Sequence, residues 1–160
     1  MANWLNMLNR RKIKNQTIIL FLVLANAFVA CNEDEDLFMK EADMWNCHHE
    51  KTWDESSTTA ALVGVWDWEY GGCYEGPADD KKFEGLTIEF KPDNTLEVME
   101  NGQTTQTSNW QVVDGDVHLF ALDVDPRVNQ LRGRILLCGD RVEFNNSYKD
   151  GCDNYFKRKR

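Results

Sequence analysis

The run Cys47-His48-His49-Glu50 contains metal-ligating residue types. Structural and catalytic zinc sites need three or four such groups converging tetrahedrally, and their ligands usually come in spaced pairs. Adjacent histidines on an extended or loop segment rarely converge on one ion, and neither a Cys-x-x-Cys pair nor a His-Glu-x-x-His helix accompanies them. The run is expected to hold no metal, and nothing else in the chain asks for a cofactor. His118 lies in Val117-His118-Leu119-Phe120, a strand-like stretch beside apolar residues. A general base needs a pocket and a partner, so His118 is expected to be a satisfied barrel-wall histidine. No nucleophile elbow, phosphate loop or dinucleotide fingerprint is present. The many carboxylates create acidic neighbours by chance, and the chain is expected not to be an enzyme.

A covalent chemistry of another kind centres on Cys31. Residues 1–14 carry Arg10, Arg11, Lys12 and Lys14 with no acidic residue, and Thr17 to Ala30 is almost wholly apolar. This is the basic n-region and apolar h-region of a signal peptide, too short for the roughly 20 residues of a spanning helix. The segment ends Phe28-Val29-Ala30-Cys31, which resembles the lipobox of bacterial lipoproteins, although Phe28 stands where leucine is usual. The resemblance implies cleavage before Cys31 and its modification with diacylglycerol and palmitate-type chains. Two or three chains at about 0.8 kcal/mol per buried methylene hold a protein on a membrane stably. The acidic run Asn32-Glu33-Asp34-Glu35-Asp36 follows, and is similar to the export tag of Bacteroidetes-type surface lipoproteins. A solvated acidic linker is the alternative.

Charge narrows the partners. The leader holds four of the 18 Lys and Arg and none of the 27 Asp and Glu, so 14 positive charges face 27 negative ones after it, a net of −13. Such a surface repels phosphate backbones, and no nucleic-acid partner is expected. It also disfavours flat adsorption on anionic lipid, which leaves membrane attachment to the acyl chains. The basic cluster at 157–160 reads as a solvated strand end.

The elements that must position everything else are strands. From Leu62 onward, short alternating runs are broken by turn residues, an all-β signature. Leu86-Thr87-Ile88-Glu89-Phe90 alternates, Pro92-Asp93-Asn94 turns the chain, and Leu96-Glu97-Val98 resumes. Asn101-Gly102 predicts a type I′ hairpin pairing the segments that end at Glu100 and begin at Gln103. Asp114-Gly115 and Gly139-Asp140 predict further hairpins, the first between 110–113 and 117–120, the second between 135–137 and 142–144. With Leu62 to Tyr70 first and Asn154 to Lys159 last, about eight strands are expected, the number at which a small antiparallel barrel closes and loses its edges. A sandwich is the alternative. The expected organisation is 1–30 signal peptide, 31–59 lipidated acidic tether and N-terminal segment, and 60–160 up-and-down barrel. A short helix around Leu37 to Trp45 or a coil over the barrel mouth is expected before the first strand, with disorder through Ser56 to Thr59.

Leu62-Val63-Gly64-Val65-Trp66-Asp67-Trp68 resembles the opening of lipocalin-like lipoproteins, whose first strand bears a Gly-x-Trp motif. The likeness continues through Gly71-Gly72 and the Asp93-Asn94-Thr95 turn to the ending Asp150-Gly151-Cys152-Asp153-Asn154-Tyr155-Phe156-Lys157-Arg158. It implies that Trp66 packs under the barrel against Arg158, closing it beside Gly64. A guanidinium over an indole contributes about 0.5 to 2 kcal/mol. By the two-residue period Gly64, Trp66, Trp68 and Tyr70 share one strand face, which makes Trp68 and Tyr70 the candidate ligand contacts. With Cys31 lipidated, Cys47, Cys73, Cys138 and Cys152 remain, and four thiols in an oxidising compartment allow three connectivities. The resemblance favours Cys73 with Cys152, beside which Cys47 with Cys138 would tie the N-terminal segment to the barrel wall.

Two functions are compatible with these residues. One is a lipoprotein anchored in the bacterial outer membrane, surface-exposed and monomeric, whose barrel takes a small apolar or amphipathic ligand. The other is a structural or interaction protein whose core is filled by Leu86, Ile88, Phe90, Leu96, Val98, Val142 and Phe144, engaging an envelope protein or glycan.

Overall fold

The computed structural model describes residues 43–73, the backbone of 76–77, and 83–160. The expected leader, Cys31 and the acidic run lie outside the described residues. Residues 43–49 are helical, and α1 follows at Glu55–Leu62. The strands are β1 Gly64–Cys73, β2 Gly76–Pro77, β3 Leu86–Phe90, β4 Thr95–Glu100, β5 Gln103–Asp114, β6 Phe120–Asp125, β7 Arg134–Cys138, β8 Arg141–Asn145 and β9 Cys152–Arg158. Each pairs antiparallel with the next, except that β1 pairs with β3, and β9 returns to pair with β1. The result is a closed up-and-down barrel of eight strands, with the two-residue β2 added at the end of β1.

Local turn chemistry accounts for the hairpins. Asn101 (φ 52°) and Gly102 (φ 78°) both take the positive φ of a type I′ turn, and Glu100 pairs with Gln103. At Gly139-Asp140, glycine supplies positive φ (60°) between the paired Cys138 and Arg141. Asp93 Oδ1 accepts from the Thr95 amide (3.0 Å) and hydroxyl (2.6 Å), fixing the β3–β4 turn with Asn94 at φ 66°.

The hairpin expected at Asp114-Gly115 is displaced. Asp114 still pairs with Phe120 as part of β5, and the reversal occupies 115–119 with Val117 (φ 49°) and His118 (φ 64°) left-handed. His118 is therefore an exposed turn residue, not part of the wall. The remainder of the pattern expected to make two strands, from 103 and over 110–113, is one long β5 that serves β4 with its first half and β6 with its second.

Interior positions follow the two-residue period. Trp66, Ile88, Phe90, Leu96, Trp110, Ile135, Val142, Phe144 and Phe156 are each no more than 2% exposed and pack as one cluster. Burying one such aliphatic or aromatic side chain contributes about 1.5–3 kcal/mol. Phe90 meets Trp110, and Phe144 meets Phe156, edge to face at 5.0 and 5.7 Å.

The packed unit begins before residue 60. α1 is capped by a reciprocal pair, Asp54 Oδ1 accepting from the Ser57 amide (2.7 Å) and Ser57 Oγ accepting from the Asp54 amide (2.9 Å). Its Thr58 and Leu62 are buried, so the stretch expected to be disordered is an ordered helix. Leu62, expected at the start of the first strand, instead ends α1 and joins the interior cluster, which places α1 across the end where β1 begins. Among the described residues, no helix is long and apolar enough to cross a membrane.

Candidate functional site

The end of the barrel beneath α1 is built from the first and last strands. Trp66 Nε1 donates to the Leu62 carbonyl at 2.7 Å, so the buried indole is fully satisfied. Arg158, opposite Trp66 in the β1–β9 ladder, lays its guanidinium 4.2 Å over that ring. It also donates to the Val63 carbonyl at 2.8 Å and to the Ala61 carbonyl. Gly64 sits at φ +134°, and a Cβ there would lie 2.3 Å from Arg158 Nη1. The glycine is required twice over, by its backbone conformation and by the close approach of the arginine. Gly64, Trp66 and Arg158 are thus one structural constellation joining α1, β1 and β9.

Farther along β1, Trp68 faces inward, opposite Phe156. Its indole donates to Asn154 Oδ1 (3.1 Å) and its ring meets Phe83 at 5.3 Å, edge to face. Tyr70 does not join it. Trp68 pairs with Phe156 and Tyr70 with Tyr155, so Glu69 is an extra residue on β1, a β-bulge that reverses the alternation beyond it. Tyr70 consequently lies on the outer wall, stacked on Tyr155 at 4.2 Å, in a second cluster with Met44, Leu119 and Leu136. The shared face expected for Trp68 and Tyr70 ends at the bulge. Burial pushes both tyrosine hydroxyls well above the ordinary phenol range, so they are neutral hydrogen-bonding groups at any ordinary pH.

Of the two disulfides, Cys73–Cys152 is the pair that the resemblance implied, and Cys47–Cys138 is the pair that this leaves. Cys73–Cys152 links residues directly opposite in the β1–β9 ladder, with Cα atoms 4.1 Å apart. Cys47–Cys138 links the helical segment 43–49 to the end of β7, with Cα atoms 5.5 Å apart.

That second bridge places Cys47-His48-His49-Glu50 in the structure. Cys47 is consumed by the disulfide, His49 is exposed, and the two histidine rings stand edge to face at 5.4 Å. His48 is buried, and its Nδ1 accepts the Leu137 amide at 2.9 Å. Burial, reinforced by neighbouring His49, lowers the His48 pKa to about 4. The imidazole is neutral at pH 7, as an acceptor nitrogen must be. Among the described residues, no group of three or more His, Cys, Asp and Glu is arranged to hold a metal ion.

One feature on the outer wall was not foreseen. The cross-strand pairs Asn109–Asp125 and Gln111–Asp123, with Asn94 and Trp110, line an open depression of about 270 Å³. Gln111 Nε2 donates to Asp123 Oδ2 at 3.0 Å. Outward-facing amides and carboxylates on strands look like ordinary solvated positions. Only the register sets these four beside one another.

Comparison with protein-family models, with curated proteins and with solved structures finds no match for the chain.

Proposed function

We propose that the chain is a non-enzymatic envelope lipoprotein, anchored through Cys31, which presents a filled β-barrel as a rigid interaction module. The observation that carries this choice over small-molecule binding is the interior itself. Trp66, Ile88, Phe90, Leu96, Phe144 and Phe156 occupy the inward positions at no more than 1% exposure. The bulge at Glu69 also carries Tyr70 away from Trp68, so the two aromatics proposed as a ligand lining are on opposite sides of the wall. The basic and apolar leader ending in Ala30-Cys31 supports the anchor, and the acidic run at 33–36 supports presentation on the outer face.

Contacts with an envelope protein or glycan are then made from outside the barrel. The depression at Asn109, Gln111, Asp123 and Asp125 offers amides and carboxylates of the kind that bind hydroxyl groups, and it is the face to probe first. In cells, Cys31→Ser should abolish incorporation of labelled palmitate. A photo-crosslinking residue at Asn109 or Asp123 should form an adduct that the same residue at exposed Lys157 does not. Unchanged labelling would overturn the anchor, and equal adducts at all three positions would overturn the contact face. Saturable binding of a small apolar probe, blocked by Trp68→Ala, would restore the ligand-binding alternative.

A further inference from the structure

The barrel is weakest where β6 should meet β7. Their ladder consists of the single pair Ala121–Arg134, whereas β5–β6 runs from Asn109–Asp125 to Asp114–Phe120 and β7–β8 from Arg134–Asn145 to Cys138–Arg141. The cause is the reversal at 115–119, whose left-handed Val117 and His118 take the chain out of register before β6 can follow β7 to its end. Residues 43–53 fill the gap. Met44 packs with Leu119 from one side of the seam and Leu136 from the other, and His48 Nδ1 takes the Leu137 amide. Trp53 Nε1 donates to the His48 carbonyl at 3.0 Å and its ring stacks on the imidazole at 5.7 Å. Cys47–Cys138 fastens this assembly to β7.

We infer that residues 43–53 are a redox-released strap: cleavage of Cys47–Cys138 frees them from the β6–β7 seam while the rest of the barrel stays closed. Both cysteines of this bridge are partly exposed, so a dithiol can reach it. One thiolate of the dithiol attacks a bridge sulfur, the S–S bond breaks, and a mixed disulfide forms. The second thiol resolves it. The products are Cys47 and Cys138 as thiols and the dithiol as its disulfide, two electrons and two protons having moved to the protein.

The other bridge behaves differently for a geometric reason. Cys73–Cys152 lies within a β1–β9 ladder that runs from Trp66–Arg158 to Cys73–Cys152, so backbone pairing holds those strands together after its loss. Without Cys47–Cys138 the strap keeps no ladder; among the described residues its hold on the barrel is the packing of Met44, the packing of Trp53 at the margin of the interior cluster and one side-chain bond to Leu137. The strap requires no lipid anchor, so it stands or falls independently of Cys31.

Graded dithiol treatment of the folded chain, with alkylation mapping and amide hydrogen exchange, tests this. Cys47 and Cys138 should become alkylated, and the β1–β9 ladder should stay protected even where Cys73 and Cys152 are reduced as well. The Leu137 amide should then exchange at least about tenfold faster, with Val142 and Phe156 unchanged, because local opening raises exchange only where protection is lost. The double variant Cys47→Ser/Cys138→Ser should show the same pattern without reductant, and reduced wild type serves if that variant fails to fold. Leu137 protection that survives loss of the bridge would overturn the inference. So would exchange that rises throughout β8 and β9 together with Leu137.

Discussion

Arg158→Met removes the guanidinium that joins β9 to α1 and β1, and its cost follows from three contacts. Arg158 donates to the carbonyls of Val63 (2.8 Å) and Ala61 and covers Trp66 at 4.2 Å. A hydrogen bond from a charged group contributes about 1.5–3 kcal/mol when buried, and the lower end applies to this half-buried side chain. The ring contact adds about 0.5–1 kcal/mol. Methionine restores some packing on the indole, so a net loss of about 3 kcal/mol is expected. With an m-value of about 1–3 kcal/mol/M, the urea midpoint of the disulfide-intact protein should fall by about 1–3 M. Gly64→Ala sharpens the test. Its φ of +134° costs an L-residue about 1–3 kcal/mol, and its Cβ must also displace Arg158 Nη1 from 2.3 Å. In the Arg158→Met background that collision disappears. The double variant should therefore be at least about 1 kcal/mol more stable than the sum of the single losses predicts. Strict additivity, or an Arg158→Met midpoint shift below about 0.3 M, would refute closure of the barrel through this constellation.

Other expectations concern single sites. Gly102 shares positive φ (+78°) with Gly64 but has open space around its missing Cβ, so Gly102→Ala should cost only about 1 kcal/mol in the same assay; a loss like that of Gly64→Ala would show that crowding is not what separates them. His48 titrates at about 4 in the fold against 6.5 unfolded, so between those values the unfolded chain binds more protons and stability rises with pH. Acidifying from pH 7 to 4.5 should therefore remove roughly 2–3 kcal/mol through this group. Replacing it by His48→Gln should flatten that part of the urea-midpoint profile, and an unchanged slope would mean that other groups carry it.

The contrast between Tyr70 and Asn101-Gly102 shows how much was legible in the chain. The hairpin depends on φ values that Asn and Gly adopt from their own covalent structure, so it can be read from two residues. The face of Tyr70 depends on whether β1 keeps its two-residue period, and an extra residue at Glu69 changes that. Nothing in Trp68-Glu69-Tyr70 marks the bulge. It exists because β9 pairs with both halves of β1, and that pairing joins the two ends of the barrel sequence, just as the Trp68–Asn154 hydrogen bond joins residues 86 apart.

The N-terminal segment divides along the same line. Its acidic composition and Ser-Thr-Thr run resemble a linker, yet residues 43–49 and 55–62 are helical and bury Met44, His48, Thr58 and Leu62. Their apolar groups are too sparse to declare a core face; the vacancy that β6 leaves beside β7 orders the segment around Met44 and His48, and the barrel end where β1 begins orders α1.

By itself, the sequence determined the all-β class, the main turns and the inward apolar rows, because alternation and turn chemistry are local properties; the constellation of Gly64, Trp66 and Arg158 followed from the resemblance of its motifs. Only the tertiary structure decided that Tyr70 faces outward, that His118 is a turn residue, and that His48 seals a seam. Each of those depends on which distant strand supplies, or fails to supply, the hydrogen-bonding partner.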